Sequence, residues 1–195
     1  MEKNANGMLN WVDDIPFGSK NIFENVLELF RDKENVIILE IGVFVGRSII
    51  ETLKKLPNSF GFAIDNWGLS KEECMYTNDI KTEFLKNIKE EKVEERIKLL
   101  EGDSFRILLN IHRSGLLFDF IYVDGSHISV DCYADIIISW DMLKKGGVLA
   151  VDDYEWNLQA DKYDRCKESI DHFLKKIEGE YIMLNKGYRV FLLKK

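Results

Sequence analysis

The sequence has few cysteines and no long apolar run, and these absences exclude several classes of protein at once. Its three cysteines form no CxxC pair and stand near no paired histidine, so neither zinc-site spacing nor a disulfide framework is present. No apolar run approaches the about 18–20 residues that cross a bilayer. The first residues also lack the charged and then apolar order of a secretory signal. We therefore expect a cytoplasmic protein with reduced thiols and no membrane partner.

An excess of positive charge is also absent. The chain has 34 acidic and 27 basic residues, a formal charge of −7, and basic residues alternate with acids in stretches such as KEEKVEERIK. This balance is typical of solvated helix faces and disfavours a nucleic-acid partner. The 195 residues, 46% of them hydrophobic, fit one globular domain. We expect that domain over 19–195, preceded by an extension or lid over 1–18.

Short apolar runs alternate with amphipathic stretches along this domain. Such alternation predicts an α/β fold with a doubly wound, mostly parallel sheet, to which a closing hairpin at Lys186-Gly187 adds antiparallel strands. The helix over 128–143 is expected to bury Tyr133, Ile137 and Trp140. The predicted strands are 36–41, 59–65, 96–103, 118–125, 147–153, 180–185 and 188–194. The predicted helices begin at Ser19 and cover 47–56, 78–91, 105–113, 128–143 and 163–178.

Each of the five predicted parallel strands ends in an acidic residue. In an open parallel sheet, ligands bind outside the carboxyl ends of the strands. The acids that would gather there are Glu40, Asp65, Asp103, Asp124 and the pair Asp152 and Asp153. A ligand site at this edge is therefore expected.

The first strand leads into an ExGxxxGxS pattern formed by Glu40, Gly42, Gly46 and Ser48. Gly42 permits a sharp turn and close approach of a ligand to the backbone. Phe44 stands where the second glycine of GxGxxG would admit a pyrophosphate, and Glu40 would repel a diphosphate. The pattern favours a ligand that carries a positive amino group, although a glycine turn with no ligand is the alternative.

A second group of candidates follows the next two strands. Asp65 lies 19 positions after Gly46, close to the offset of about 20 at which an acid grips ribose hydroxyls. Trp67 could lay its ring on an adenine or simply pack. The segment Gly102-Asp103-Ser104 could reach the adenine amine, or Asp103 could cap its helix. Asn66, beside Asp65, completes this group.

Together, these residues resemble the class I S-adenosylmethionine (SAM)-dependent methyltransferases over residues 36–155. The closing hairpin agrees with the antiparallel last strand of that seven-stranded, Rossmann-like fold. Within the class, the sequence is most similar to the metal-dependent small-molecule O-methyltransferases of the catechol and macrocin types. The resemblance implies that Glu40 and Ser48 hold the methionine part of SAM. It also implies that Asp65 holds the ribose, with Asp103 and Ser104 at the adenine.

The segments FDFIYVDGSH and LKKGGVLAVDDY carry the rest of the resemblance. It implies a divalent-metal site at Asp124, Asp152 and Asp153, the last standing where catechol-type enzymes have asparagine. Three carboxylates suit Mg²⁺ or Mn²⁺. His127 replaces the catechol-type lysine, as in macrocin-like enzymes, and would accept the proton of a metal-bound hydroxyl. Asp124 would thus serve catalysis as well as the cofactor.

Three other functions stay open on the sequence alone. They are a metal-free methyltransferase in which Asp124 serves only the amino group of SAM, a non-catalytic SAM-binding module, and a nicotinamide-dependent oxidoreductase. The acceptor is expected to be a small hydroxylated molecule, with a sugar preferred over a phenol. Several aromatic residues could wall its pocket or pack against a second subunit in a homo-oligomer: Trp11, Phe17, Tyr76, Tyr154 and Trp156.

Overall fold

The computed structural model describes residues 19–68 and 80–195 of the chain. Their helices are α1 (Ser19–Glu28), α2 (Arg47–Lys55), α3 (Ile80–Glu90), α4 (Ser104–Ser114), α5 (Ser129–Met142) and α6 (Lys167–Lys176), with a short 3-10 turn at Glu94–Arg96. Their strands are β1 (Val36–Ile41), β2 (Ser59–Asp65), β3 (Ile97–Glu101), β4 (Phe118–Val123), β5 (Leu143–Val151), β6 (Tyr181–Lys186) and β7 (Val190–Lys194).

The strands form one seven-stranded sheet in the order β3, β2, β1, β4, β5, β7, β6. The central strands β1 and β4 are almost continuously apolar and buried, as strands covered on both faces must be. Strands β1 to β5 pair in parallel, whereas β7 runs antiparallel between β5 and β6. The predicted mostly parallel sheet with its antiparallel hairpin is confirmed.

Helices cover both faces of this sheet. On one face, Leu27 of α1, Leu53 of α2 and Phe84 of α3 are buried in one apolar cluster. On the other face, Ile136 of α5 and Phe173 of α6 belong to a second cluster. Each fully buried side chain of this size contributes roughly 1.5–3 kcal/mol, so both layers hold the sheet in place. This is the doubly wound arrangement that the alternation predicts.

Two element starts differ from the sequence prediction by four residues, and one residue expected to be buried is exposed. Strand β5 begins at Leu143 instead of 147, because α5 leads directly into it and Leu143 pairs with Phe118. Helix α6 begins at Lys167 instead of 163, after a run of turns. Ile137 is 42% exposed, since it lies a third of a turn past Ile136, which faces the core. The expected lid over 1–18 lies outside the described residues.

Backbone hydrogen bonds line up the carboxyl ends of the parallel strands, which we call the carboxyl edge. The amide of Gly42 donates to Ile64 O at 2.9 Å, and the amide of Asp124 donates to Ile41 O at 2.8 Å. The amide of Asp152 in turn donates to Val123 O at 3.0 Å. The strand-end acids therefore stand side by side. None of the helices within 19–68 and 80–195 combines the length and the apolarity that crossing a bilayer demands.

Candidate active site

Glu40 is the most deeply buried acid of the carboxyl edge, with 2% of its surface exposed. The hydroxyl of Ser48 donates a hydrogen bond to its Oε1. Burial raises the pKa of Glu40 to about 8, although the Ser48 bond and the charge of Arg189 act in the opposite direction. The structure thus brings together the two residues that the ExGxxxGxS pattern nominates, and a cation beside Glu40 would favour its charged form.

Asp65 and Trp67 brace the glycine turn between β1 and α2. The carboxylate of Asp65 accepts bonds from Phe44 N at 2.8 Å and from Trp67 N at 2.7 Å. The indole Nε1 of Trp67 donates to Phe44 O at 3.1 Å, and its ring packs 5.5 Å from that of Phe84. Both residues lie where the sequence places them, and their contacts here support the turn. Their binding of ribose and adenine stays a prediction, as does that of Asn66, whose Oδ1 accepts a bond from Gly68 N at 2.7 Å.

The segment after β3 combines a helix cap with a buried carboxyl. Asp103 is the N-cap of α4 and accepts a bond from Arg106 N at 3.0 Å, so the capping alternative is the one found. Ser104 donates to the Asp135 carboxylate at 3.1 Å. Burial raises the pKa of Asp135 to about 7. The amide of Gly102 donates to Asp65 O at 2.9 Å, which ties this segment to the carboxyl edge, and its contact with adenine stays a prediction.

Asp124 and Asp152, which follow β4 and β5, interact with Asp153 and Glu40, and we call these four residues the acid cluster. Burial raises the pKa of Asp124 well above its usual range, and the charges of Asp152, Asp153 and Glu40 add to this effect. Asp152 is only 5% exposed. Its Oδ2 accepts a bond from Arg189 Nε at 2.8 Å and another from the Tyr122 hydroxyl. The pKa of Asp152 is also raised by burial, against the opposing charge of Arg189.

Asp153 holds the imidazole of His127. Oδ2 of Asp153 lies 2.9 Å from His127 Nε2, and its Oδ1 accepts a bond from the Tyr188 hydroxyl at 3.1 Å. The ring of Trp156 lies against the imidazole, with ring centroids 4.2 Å apart. The backbone of Asp153 has a φ of +61°, a conformation that is uncommon outside glycine. Tyr188 on one side and Trp156 on the other therefore hold the His127–Asp153 pair in place.

The predicted metal site has suitable donor atoms but an arrangement that does not suit a metal. Three carboxylates are the ligands that Mg²⁺ prefers, yet Asp152 is engaged by Arg189 and Tyr122, and Asp153 by His127 and Tyr188. Within 19–68 and 80–195, no three His, Cys, Asp or Glu side chains converge as a metal centre requires. The metal prediction is not confirmed.

Sequence reasoning missed Arg189, Tyr122 and Tyr188. Tyr122 lies on β4 two positions before Asp124, which follows the strand directly, so the two-residue period of a strand places both on the same face of the sheet. Val151 of β5 pairs with Val190 of β7, which places Tyr188 and Arg189 across from the acids that follow β5. The signal for Tyr122 is strand periodicity, whereas the other two require knowledge of the strand order.

A cavity of about 500 Å³ opens at the other end of the sheet and is a poor candidate for this chemistry. It lies at the amino ends of β1 and β2, far from the acid cluster. Apart from Glu34, its lining is neutral: Asn35, Val36, Ile37, Asn58, Ser59, Phe60, Phe62 and Leu116. The carboxyl edge remains the candidate site.

Comparison with known proteins identifies the family of this chain. The profile of a family described as a methyltransferase domain matches residues 39–154, a span that includes Glu40, the glycine turn, His127 and the paired aspartates. The chain belongs to this methyltransferase family. A relative described as a putative caffeoyl-CoA O-methyltransferase from Arabidopsis thaliana is 25% identical over 144 residues. That match covers 73% of this chain and 56% of the relative, so the chain spans little more than half of that protein.

Solved methyltransferase structures share the fold. The O-methyltransferase from Bacillus cereus in complex with SAH matches with a TM-score of 0.66 at 19% identity, over 92% of this methyltransferase and 82% of that chain. MycE, from the mycinamycin biosynthetic pathway and in complex with Mg and SAH, matches with a TM-score of 0.60 at 19% identity, over 88% and 48% of the two chains. The resemblance to class I SAM-dependent O-methyltransferases is confirmed.

Proposed function

We propose that this methyltransferase transfers the methyl group of SAM to a hydroxyl oxygen of a small molecule, with His127 as the general base. The observation that carries the proposal is the 2.9 Å contact between His127 Nε2 and Asp153 Oδ2. His127 lies on the loop after β4, whose first residue, Asp124, packs closely against Gly42. A base within reach of the cofactor edge is what removal of a hydroxyl proton during methyl transfer requires.

The cofactor would lie along the turn between β1 and α2. Glu40 and Ser48 are in contact there, and the carboxylate of Glu40 suits the amino group of the methionine part. Asp65 stands at the end of β2, where a ribose would come within reach. Bound SAM brings a cationic amino group and a sulfonium, both of which favour ionised carboxylates around them. This is a reason for so many acids at one edge.

The proton would move from the acceptor to the imidazole. An ionised carboxylate can only accept a hydrogen bond, so in this proposal neutral His127 keeps its proton on Nε2, toward Asp153, and offers the lone pair of Nδ1 to the acceptor. The acceptor O–H bond breaks, its proton passes to Nδ1, and the oxygen electron pair attacks the methyl carbon as the carbon–sulfur bond breaks. Asp153 then stabilises the imidazolium, much as an aspartate supports the histidine of a catalytic triad.

Alignment of the acceptor oxygen with the carbon–sulfur bond of SAM supplies the rest of the rate enhancement. The methyl group of a sulfonium is already electrophilic, so positioning of the oxygen opposite the departing sulfur is the main requirement. Trp156 lies against the imidazole and fixes the direction of its ring. The products are a methyl ether and S-adenosylhomocysteine, whose sulfur is now a neutral thioether, with the proton left on His127.

The acceptor is proposed to be a small hydroxylated molecule, and a sugar hydroxyl is preferred over a phenol. The descriptions of two similar proteins support a small-molecule acceptor: one is a putative caffeoyl-CoA O-methyltransferase, and the other belongs to the mycinamycin biosynthetic pathway. The latter structure contains Mg, whereas Mg²⁺ or Mn²⁺ at Asp124, Asp152 and Asp153, which the sequence predicts, is not confirmed for this chain. A cytoplasmic location and a homo-oligomer stay predictions.

Two measurements test the proposed function. Isothermal titration calorimetry should detect SAM and S-adenosylhomocysteine binding, with no comparable heat from NAD, and labelled SAM should methylate members of a panel of sugars and phenols. Absence of SAM binding would reject the proposal. Binding without transfer to any hydroxyl compound would favour the alternative of a non-catalytic SAM-binding module.

A further inference from the structure

Arg189 places a fixed positive charge inside the acid cluster. It precedes β7 in the turn from β6, and its side chain is 15% exposed. Its Nε donates to Asp152 Oδ2 at 2.8 Å, and its guanidinium carbon lies 5.7 Å from the centre of the Tyr122 ring. An arginine stays charged under any condition a protein meets. The acid cluster therefore has a permanent counter-ion that belongs to the chain.

The charge of Arg189 acts on both halves of the site. Its guanidinium binds Asp152, which follows β5, and its positive charge also attracts Glu40 of β1 and Asp124, which follows β4. A divalent cation placed among the same carboxylates would have this effect too. The guanidinium thus supplies the kind of charge compensation that a metal would otherwise bring.

A metal would have to compete with contacts that are already made. Oδ2 of Asp152 accepts from Arg189 and Tyr122, while its Oδ1 accepts from the amide of Asp153 at 2.9 Å. Binding of an ion to Oδ2 of Asp152 would require loss of one of its two contacts, and loss of the buried ion pair is unfavourable unless the departing arginine finds another partner. The positive charges of metal and arginine would also repel each other at short range.

We propose that Arg189 is the resident counter-ion of Asp152 and that methyl transfer by this chain needs no divalent cation. The proposal rests on the proposed function. Arg189 acts as a positioning residue, because it keeps Asp152 and the neighbouring acids ordered beside the His127–Asp153 pair. The divalent ion that the resemblance implies would then bind weakly and leave the reaction rate unchanged.

A titration with Mn²⁺ tests the competition directly, without an acceptor. By electron paramagnetic resonance of free Mn²⁺, the native protein should show no saturable site below millimolar concentration. Arg189→Met, which removes the charge and keeps an unbranched side chain, should bind Mn²⁺ at least tenfold more tightly, whereas Arg189→Lys should resemble the native protein. Lys144→Met is the matched control, since it removes another partly buried ion pair, to Asp119 at 2.7 Å.

Turnover supplies the second readout. We expect the native protein, treated with EDTA, to keep its transfer rate within about twofold, and Arg189→Met to lose activity that Mn²⁺ or Mg²⁺ partly restores. Micromolar Mn²⁺ binding by the native protein together with loss of turnover in EDTA would overturn the proposal. If Arg189→Met does not fold, the native and Arg189→Lys titrations still decide it. Failure to bind SAM would instead reject the proposed function, which the Mn²⁺ titration does not measure.

Discussion

A Cβ atom added to Gly42 would lie 1.9 Å from the carbonyl oxygen of Asp124. The two residues follow β1 and β4, which are neighbours in the sheet. Gly42 also has a φ of +82°, in the left-handed region that favours glycine. The first turn of the site can therefore approach the β4 loop only because this position has no side chain.

Gly42→Ala should destabilise the protein by clearly more than the about 1–2 kcal/mol that a left-handed conformation costs an alanine, because the backbone must also move away from Asp124. Gly146→Ala is the matched control: its φ is +73°, and no atom lies within 4 Å of an added Cβ. Urea denaturation of both variants measures the difference. Equal losses of stability would show that the close approach is unimportant.

Glu40→Gln should stabilise the protein without SAM, and more so as the pH rises. The pKa of Glu40 is raised from 4.5 to about 8, so between these values the folded state keeps a proton that the unfolded state releases. The free energy of unfolding therefore falls as the pH rises through this window, and the glutamine variant escapes a penalty of a few kcal/mol, at about 1.4 kcal/mol per pKa unit. Thermal melts at about pH 5 and about pH 9 measure it. A melting difference that does not grow with pH would contradict the assignment.

The affinity for SAM should rise with pH as Glu40 becomes ionised. Below about pH 8 the carboxyl carries a proton, and binding of the cationic amino group must displace it, so binding releases a proton to the buffer. Calorimetry in buffers of different ionisation enthalpy counts that proton. Glu40→Gln should bind SAM at least tenfold more weakly and release none. Proton release that persists in this variant would point to another group.

His127→Gln and Asp153→Asn should slow methyl transfer while leaving SAM affinity nearly unchanged. Loss of a general base typically costs about 10²–10⁴-fold in rate, and loss of the aspartate removes the contact that sets the histidine tautomer. His172→Gln, at an exposed histidine of α6, is the control. Initial rates with saturating SAM provide the comparison, and a rate within a few-fold of native in His127→Gln would remove the histidine from the mechanism.

The fold and the set of strand-end acids follow from local patterns in the sequence. Runs such as VIILEI predict buried strands, and the carboxyl ends of parallel strands share one edge, so Glu40, Asp65 and Asp124 can be grouped from the sequence alone. The order and register of the last strands cannot be predicted from local patterns, because pairing of β7 with β5 joins segments that are far apart in the chain. Arg189 and Tyr188 depend on that pairing and could not be nominated.

A second limit on prediction from the sequence concerns side chains that could take either of two local roles. Asp103 could cap a helix or reach a ligand, and Trp67 could stack on a base or pack; the structure shows a cap for the first and packing on Phe84 for the second. Ile137 illustrates a related limit, because adjacent isoleucines in an apolar helix leave its buried face ambiguous. In each case the competing states differ by contacts that only the assembled fold supplies.

The ion pair between Arg189 and Asp152 joins residues 37 positions apart. During folding, the carboxylates behind β4 and β5 are brought together before their compensating charge unless the final hairpin docks at the same time. Repulsion between these carboxylates would disfavour a sheet that lacks β7. Docking of β7 between β5 and β6 would bring in Arg189 and relieve that repulsion. Electrostatics at the site should therefore couple the last strand to the remainder of the sheet, so that the protein gains its binding edge and its completed architecture in a single cooperative step.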